Sequence, residues 1–94
     1  MQTLEDFRAT SNHFNPADFE TLTGSSVAGL VGSEAAPRAV PHLYARVSGA
    51  ETFAVTVIEI DGRFEWCWGM GGVETSPSLA EAEADLFAML TIND

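Results

Sequence analysis

The sequence contains no lysine. Its fixed cations are Arg8, Arg38, Arg46 and Arg63, set against fourteen Asp and Glu, and the 94-residue chain carries a formal charge of −10. Nucleic acids and anionic membranes are held largely by Lys and Arg, so a chain this poor in both repels them. Direct binding of DNA, RNA or a membrane surface is therefore not expected. Cysteine is almost missing too. Cys67 alone cannot form an internal disulfide, which fits a reducing compartment. No apolar run approaches the ~20 residues that span a bilayer. The opening MQTLEDFRAT has neither the basic nor the apolar region of a signal peptide. Together these absences point to the cytoplasm. Metal-ligand spacings are absent as well: no H-x-x-x-H, no C-x-x-C and no EF-hand loop, with His13 and His42 far apart. No metal or cofactor is expected. With no nucleophile–base pair in view, neither is an enzyme.

What the chain does have is a hairpin. Hydrophobic residues make up 46% of the sequence, enough for a globular domain. Ninety-four residues make one small domain with little stability to spare. Its clearest local signal is FAVTVIEIDGRFEWCWGM, Phe53 to Met70. Two β-branched and aromatic runs flank Asp61-Gly62, a dipeptide suited to a type I′ turn, where both central residues need φ > 0. That turn sets Ile60 opposite Arg63, Glu59 opposite Phe64, Val57 opposite Trp66, Val55 opposite Trp68 and Phe53 opposite Met70. One face then carries Phe53, Val55, Val57, Phe64, Trp66, Trp68 and Met70, with Glu59 as its one charge. The other carries Ala54, Thr56, Ile58, Ile60, Arg63, Glu65 and Cys67. The more apolar first face is the expected core face, since a one-residue slip would exchange the two.

The flanking segments are assigned by their caps. Residues 1–24 form a helical N-terminal part, with Thr3 capping a turn through Phe7 and Asn15-Pro16 opening a second helix that Gly24 stops. Residues 25–42 form an irregular connector with room for a short helix or strand near Val27 to Val31. Residues 43–70 form a three-stranded antiparallel meander, its first strand turned into the hairpin by Ser48-Gly49-Ala50-Glu51. Residues 76–91 hold a C-terminal helix, signalled by Ser76-Pro77 and by the capping box Ser78-x-x-Glu81. At 100° per residue Leu79, Ala82, Leu86, Met89 and Leu90 share one face, with Phe87 and Glu83 at its margins and Glu81 and Asp85 opposite. The expected fold is α+β, with the C-terminal helix packed on the Trp66/Trp68 face.

Candidate chemistry is sparse. Trp66 and Trp68 could stack a base or a sugar, but alternation with Phe64 reads more simply as core. Cys67, facing Thr56 with no histidine nearby in sequence, reads as an inert thiol. Gly69-Met70-Gly71-Gly72 lacks the lysine and spacing of a phosphate loop and reads as a strand exit. The carboxylates stand out. Glu59, Asp61 and Glu65 gather at the hairpin tip, and Glu81 and Asp85 lie i,i+4 on the exposed side of the last helix. These five are the expected acidic face for a partner. Ile58 and Ile60, on the hairpin face away from that helix, are either covered by the N-terminal helices or available as an apolar contact for a partner or a second copy.

A short acidic chain with a helical N-terminus, a DG-turned meander and a capped C-terminal helix resembles the small inhibitors encoded by phages and mobile elements, anti-CRISPR proteins among them. The resemblance covers size, acidity, the lack of disulfide or metal frameworks, and the ββα half from Phe53 to Leu90. It transfers no residue roles. It implies a non-enzymatic, protein-binding inhibitor in the host cytoplasm, acting as a nucleic-acid mimic on the basic surface of a CRISPR effector complex. The alternative is a small homodimeric accessory module that pairs through the exposed hairpin face.

Overall fold

Two short turns organise the sheet. The computed structural model describes residues 2–11, 13–66 and 73–91. At the first turn, Gly49 takes φ 62 at the leading central position, and β1 (Val40–Ser48) folds back on β2 (Glu51–Ile60) with Ser48 opposite Glu51. At the second, Asp61 and Gly62 take φ 49 and 80, the two left-handed positions of a type I′ turn. Asp61 is the one described residue other than glycine with positive φ. Asp tolerates that region because its short side chain can bond locally. β3 (Arg63–Trp66) then pairs with β2 in the expected register: Ile60–Arg63, Glu59–Phe64 and Val57–Trp66. The expected pairs of Val55 with Trp68 and Phe53 with Met70, and the readings of Cys67 and the glycine run, lie outside the described residues.

The meander has a fourth strand. β4 (Glu74–Ser76) runs antiparallel to β3, setting Phe64 opposite Ser76 and Trp66 opposite Glu74, so the strand order is β1-β2-β3-β4. Three residues are too few for a periodic signal, which is why this strand is absent from the meander expected from the sequence. Ser76 is also not a helix cap. It ends β4, and Ser78 Oγ accepts the Glu81 amide at 3.2 Å to open α4 (Leu79–Thr91).

The helices cover both faces of the sheet, not one. On the first face, Tyr44, Val57 and Trp66 meet Ala82 and Leu86 of α4 and Phe7 of α1 (Leu4–Ala9). Phe7 stacks on Tyr44 at 4.9 Å between ring centroids and tilts against Phe87 at 5.3 Å. Thr3 and Asp6 form a full capping box at the start of α1. Phe53 belongs to this face by alternation, yet it is 48% exposed. It pairs with Arg46 near the Gly49 turn, at the end of β2 away from Trp66 and Ala82.

The second face is covered by the segment that precedes β1. A 3₁₀ turn over Pro16–Asp18 leads into α2 (Phe19–Thr23), which Gly24 ends at φ 78. Asn15 Oδ1 accepts the Ala17 amide at 3.0 Å, as its expected capping role requires. α3 (Val27–Val31) follows, with Ser26 as its cap, and a second 3₁₀ turn over Ala36–Arg38 delivers the chain to β1. The expected irregular connector is thus mostly short helix, and β1 begins three residues earlier than the sequence suggests. Phe19, Leu43, Ala45, Ile58 and Ile60 are buried on this side. Among the described residues no helix is long and apolar enough to cross a membrane.

Candidate functional site: the carboxylates and what holds them

The hairpin-tip acids are largely taken. Asp61 Oδ1 and Oδ2 accept from Arg38 Nε and Nη2 at 2.9 and 3.2 Å, a forked pair that fastens the Ala36–Arg38 turn to the Asp61-Gly62 turn. The Arg38 guanidinium holds the Asp61 carboxyl below its usual range, and Asp61 raises Arg38 in return. Glu65 Oε1 accepts from Arg63 Nε at 2.8 Å on the same strand. Glu59 Oε1 lies 3.3 Å from His42 Nε2 across the β1–β2 pair. Each expected tip residue therefore has a positively charged or titratable neighbour within the chain.

The apolar part of the expected site is overturned. Ile58 and Ile60 are 4% and 2% exposed, so they are core residues rather than a surface for a partner or a second copy. The cause lies in the segment before β1. α2 packs against β2, and Leu30 and Val31 of α3 close over Thr56 and Ile58, leaving a cleft of about 70 Å³ that also touches Glu65, Trp66 and Val73. That volume suits a few water molecules, well below the few hundred Å³ of an ordinary small-molecule site.

Two of the three acids of α4 are outward. Glu81 and Asp85 are exposed, and neither takes part in the ion pairs formed among the described residues. Asp85 has one anchor: Ser76 Oγ donates to its Oδ2 at 3.3 Å while accepting from Trp66 Nε1 at 3.2 Å. This chain of bonds ties α4 to β4 and β3, and it satisfies an indole N–H that is buried with its ring. Glu74 is exposed on β4, and strand alternation places it on the same sheet face as Ser76, beneath α4. Glu74, Glu81 and Asp85 thus lie on the α4–β4 flank.

One carboxylate that the helical wheel sets at a margin turns out to be internal. Glu83 is 8% exposed, and its Oε2 accepts from the Tyr44 hydroxyl at 2.8 Å. Arg8 Nε stands 3.5 Å from its Oε1, and Arg8 Nη2 donates to the Ala80 carbonyl at 3.2 Å. Burial, then the hydrogen bond and charge of Glu83, push the Tyr44 phenol well above its ordinary value. The cluster therefore holds a neutral phenol against a carboxylate and joins α1, β1 and α4. A buried tyrosine needs a partner for its hydroxyl, and this was the one signal in the sequence that could have found it.

The arginines explain the surface that remains. Arg8, Arg38 and Arg63 each stand beside an acid, and Arg46 is buried in β1 with its Cζ 5.9 Å from the Phe87 ring centroid. No group of three His, Cys, Asp or Glu among the described residues is placed to hold a metal ion. Comparison with protein-family models, with curated proteins and with solved structures finds no match to this chain.

Proposed function

We propose that the protein is a non-enzymatic binding protein that occupies a basic surface of another protein, presenting carboxylates where that surface would hold nucleic acid. The observation that carries this reading is the placement of the cations. Arg8, Arg38 and Arg63 form their ion pairs with Glu83, Asp61 and Glu65, and Arg46 is buried, so Glu81 and Asp85 stand outside the ion pairs formed among the described residues. Carboxylates one helical turn apart lie roughly 5–6 Å from each other. Duplex DNA offers about one negative charge per 1.7 Å of axis. Glu81 and Asp85 supply a pair of comparable kind to lysines and arginines. Charge-assisted pairs of this sort speed association and fix orientation. A CRISPR effector complex, with its basic channel for guide and target, is the partner that the sequence resemblance suggests.

Affinity capture from a bacterial lysate tests the proposal, with the natural chain and a Glu81→Gln/Asp85→Asn chain used in parallel. The neutral amides keep the helix start and the Ser76 contact while removing both charges. The expected result is a nucleic-acid-handling protein bound by the natural chain at about 50 mM salt, shed by about 200 mM, and poorly bound by the variant. Equal capture by both chains, or capture indifferent to salt, rejects an electrostatic role for this flank.

A further inference from the structure

The sheet has two edges, and they are protected in different ways. β4 is three residues long and carries Glu74, so shortness and charge discourage pairing there. β1 is long, and its one fixed charge, Arg46, is buried, with Nη1 donating to the Val47 carbonyl. Val40–Ser48 is nine residues long, contains no carboxylate in a chain of charge −10, and is flanked by the exposed Val40 and Val47. Its outward backbone groups fall at Pro41, Leu43, Ala45 and Val47, since the alternate residues pair with β2. Proline at the first of these offers no donor, a placement suited to an edge.

Farther along, side chains from the N-terminal segment stand in for a neighbouring strand. Gln2 Nε2 donates to the Ala45 carbonyl at 2.9 Å while its Oε1 accepts the Val47 amide at 3.1 Å. The Ala45 amide donates to Thr10 Oγ1 at 2.9 Å. One primary amide thus makes the two bonds that a strand residue would make, and one hydroxyl fills the next position.

We infer that Gln2 and Thr10 close a strand-addition edge on β1, and that its occupant when opened is a second copy of this chain, paired antiparallel through β1. Self-pairing suits this edge because a two-fold axis sets the same N–H and C=O pattern against itself. The strand is also where a second, equally acidic chain meets no carboxylate of β1. Two four-stranded sheets would join into one of eight. The inference is independent of the proposed acidic function, which uses the α4–β4 flank at the opposite side of the sheet.

The test is light scattering on Gln2→Ala/Thr10→Val. Gln2→Ala alone serves as a second variant, since the Gln2 side chain reaches only the β1 backbone in these contacts. Both are expected to shift from the mass of one 10.1 kDa chain toward twice that value as concentration rises, with the double variant shifting first. Val47→Pro added to either should restore the monomer, because it removes an outward amide and leaves the β2 ladder intact. Variants that fold and stay monomeric at millimolar concentration overturn the inference. So does a dimer that survives Val47→Pro, which would be using another surface.

Discussion

Replacing Tyr44 with Phe removes one oxygen from the centre of the molecule and little else. The ring of Tyr44 is fully buried and stacks on Phe7 at 4.9 Å, and Phe can keep both features. What is lost is the 2.8 Å hydrogen bond to Glu83, whose remaining charged neighbour is Arg8 at 3.5 Å. A hydrogen bond to a charged group contributes about 1.5–3 kcal/mol, and a buried carboxylate deprived of it lies toward the upper part of that range. Arg8 offsets little of the loss, because its side chain is 43% exposed and such pairs are worth about 1 kcal/mol or less. The expected cost is about 2 kcal/mol in urea unfolding near neutral pH, or roughly 8–16 °C in Tm for a domain of this size. The pH profile tests the buried phenol itself. The folded protein raises the Tyr44 phenol above its unfolded value, chiefly by burial and then through Glu83. Its contribution is therefore present below about pH 10 and is lost as pH climbs beyond that, at up to about 1.4 kcal/mol per pH unit. The chain has one tyrosine and no lysine, so few other groups cloud this window. The gap between natural chain and variant should accordingly narrow above pH 10. A cost below about 0.5 kcal/mol refutes the Tyr44–Glu83 bond as a stabilising contact, and parallel profiles into alkali refute a raised Tyr44 phenol.

Two further substitutions test the packing that moved the expected site. Ser76→Ala strips the buried Trp66 Nε1 of its acceptor and should cost about 1–3 kcal/mol, whereas Asp85→Ala at the exposed end of the same bond chain should cost little. Equal losses by thermal unfolding would place the energy in the Ser76–Asp85 contact instead. Ile58→Ala empties a site between β2 and α3 and should cost about 2–5 kcal/mol while leaving the hydrodynamic size unchanged. A near-neutral change accompanied by a smaller particle would show that Ile58 faces a second copy after all.

Local chemistry made much of the fold legible. Asp61-Gly62 demanded two left-handed residues in a row, and that demand set the register of β2 on β3 pair by pair. Thr3, Asn15, Gly24 and Ser78 act as the caps and stop that their types suggest. The misses share a cause in short elements. β4 has three residues and α3 five, fewer than two full periods of either pattern. With Val27 to Val31 open between helix and strand, Ile58 and Ile60 stayed open between cover by the N-terminal helices and a partner surface, and the fold covers them.

The acidic site was harder to read for a different reason. A carboxylate in sequence is only a charge; whether it is available depends on which cation reaches it. Arg38 comes to Asp61 from twenty-three residues away, and Tyr44 comes to Glu83 from thirty-nine. No spacing rule connects such positions, whereas Arg63 and Glu65, two apart on one strand face, could have been paired in advance. The same four arginines that are too few to neutralise the surface are the ones that remove specific acids from it. Their effect is to divide the carboxylates into two groups. Asp61, Glu65 and Glu83 fasten turns, strands and helices, and altering them should act first on stability. Glu81 and Asp85 stand on the outside of α4 apart from those pairs, and altering them should act first on binding. Of the five acids expected to form a partner face, Glu81 and Asp85 are thus the two outside the ion pairs formed among the described residues, and the proposed binding function rests on them.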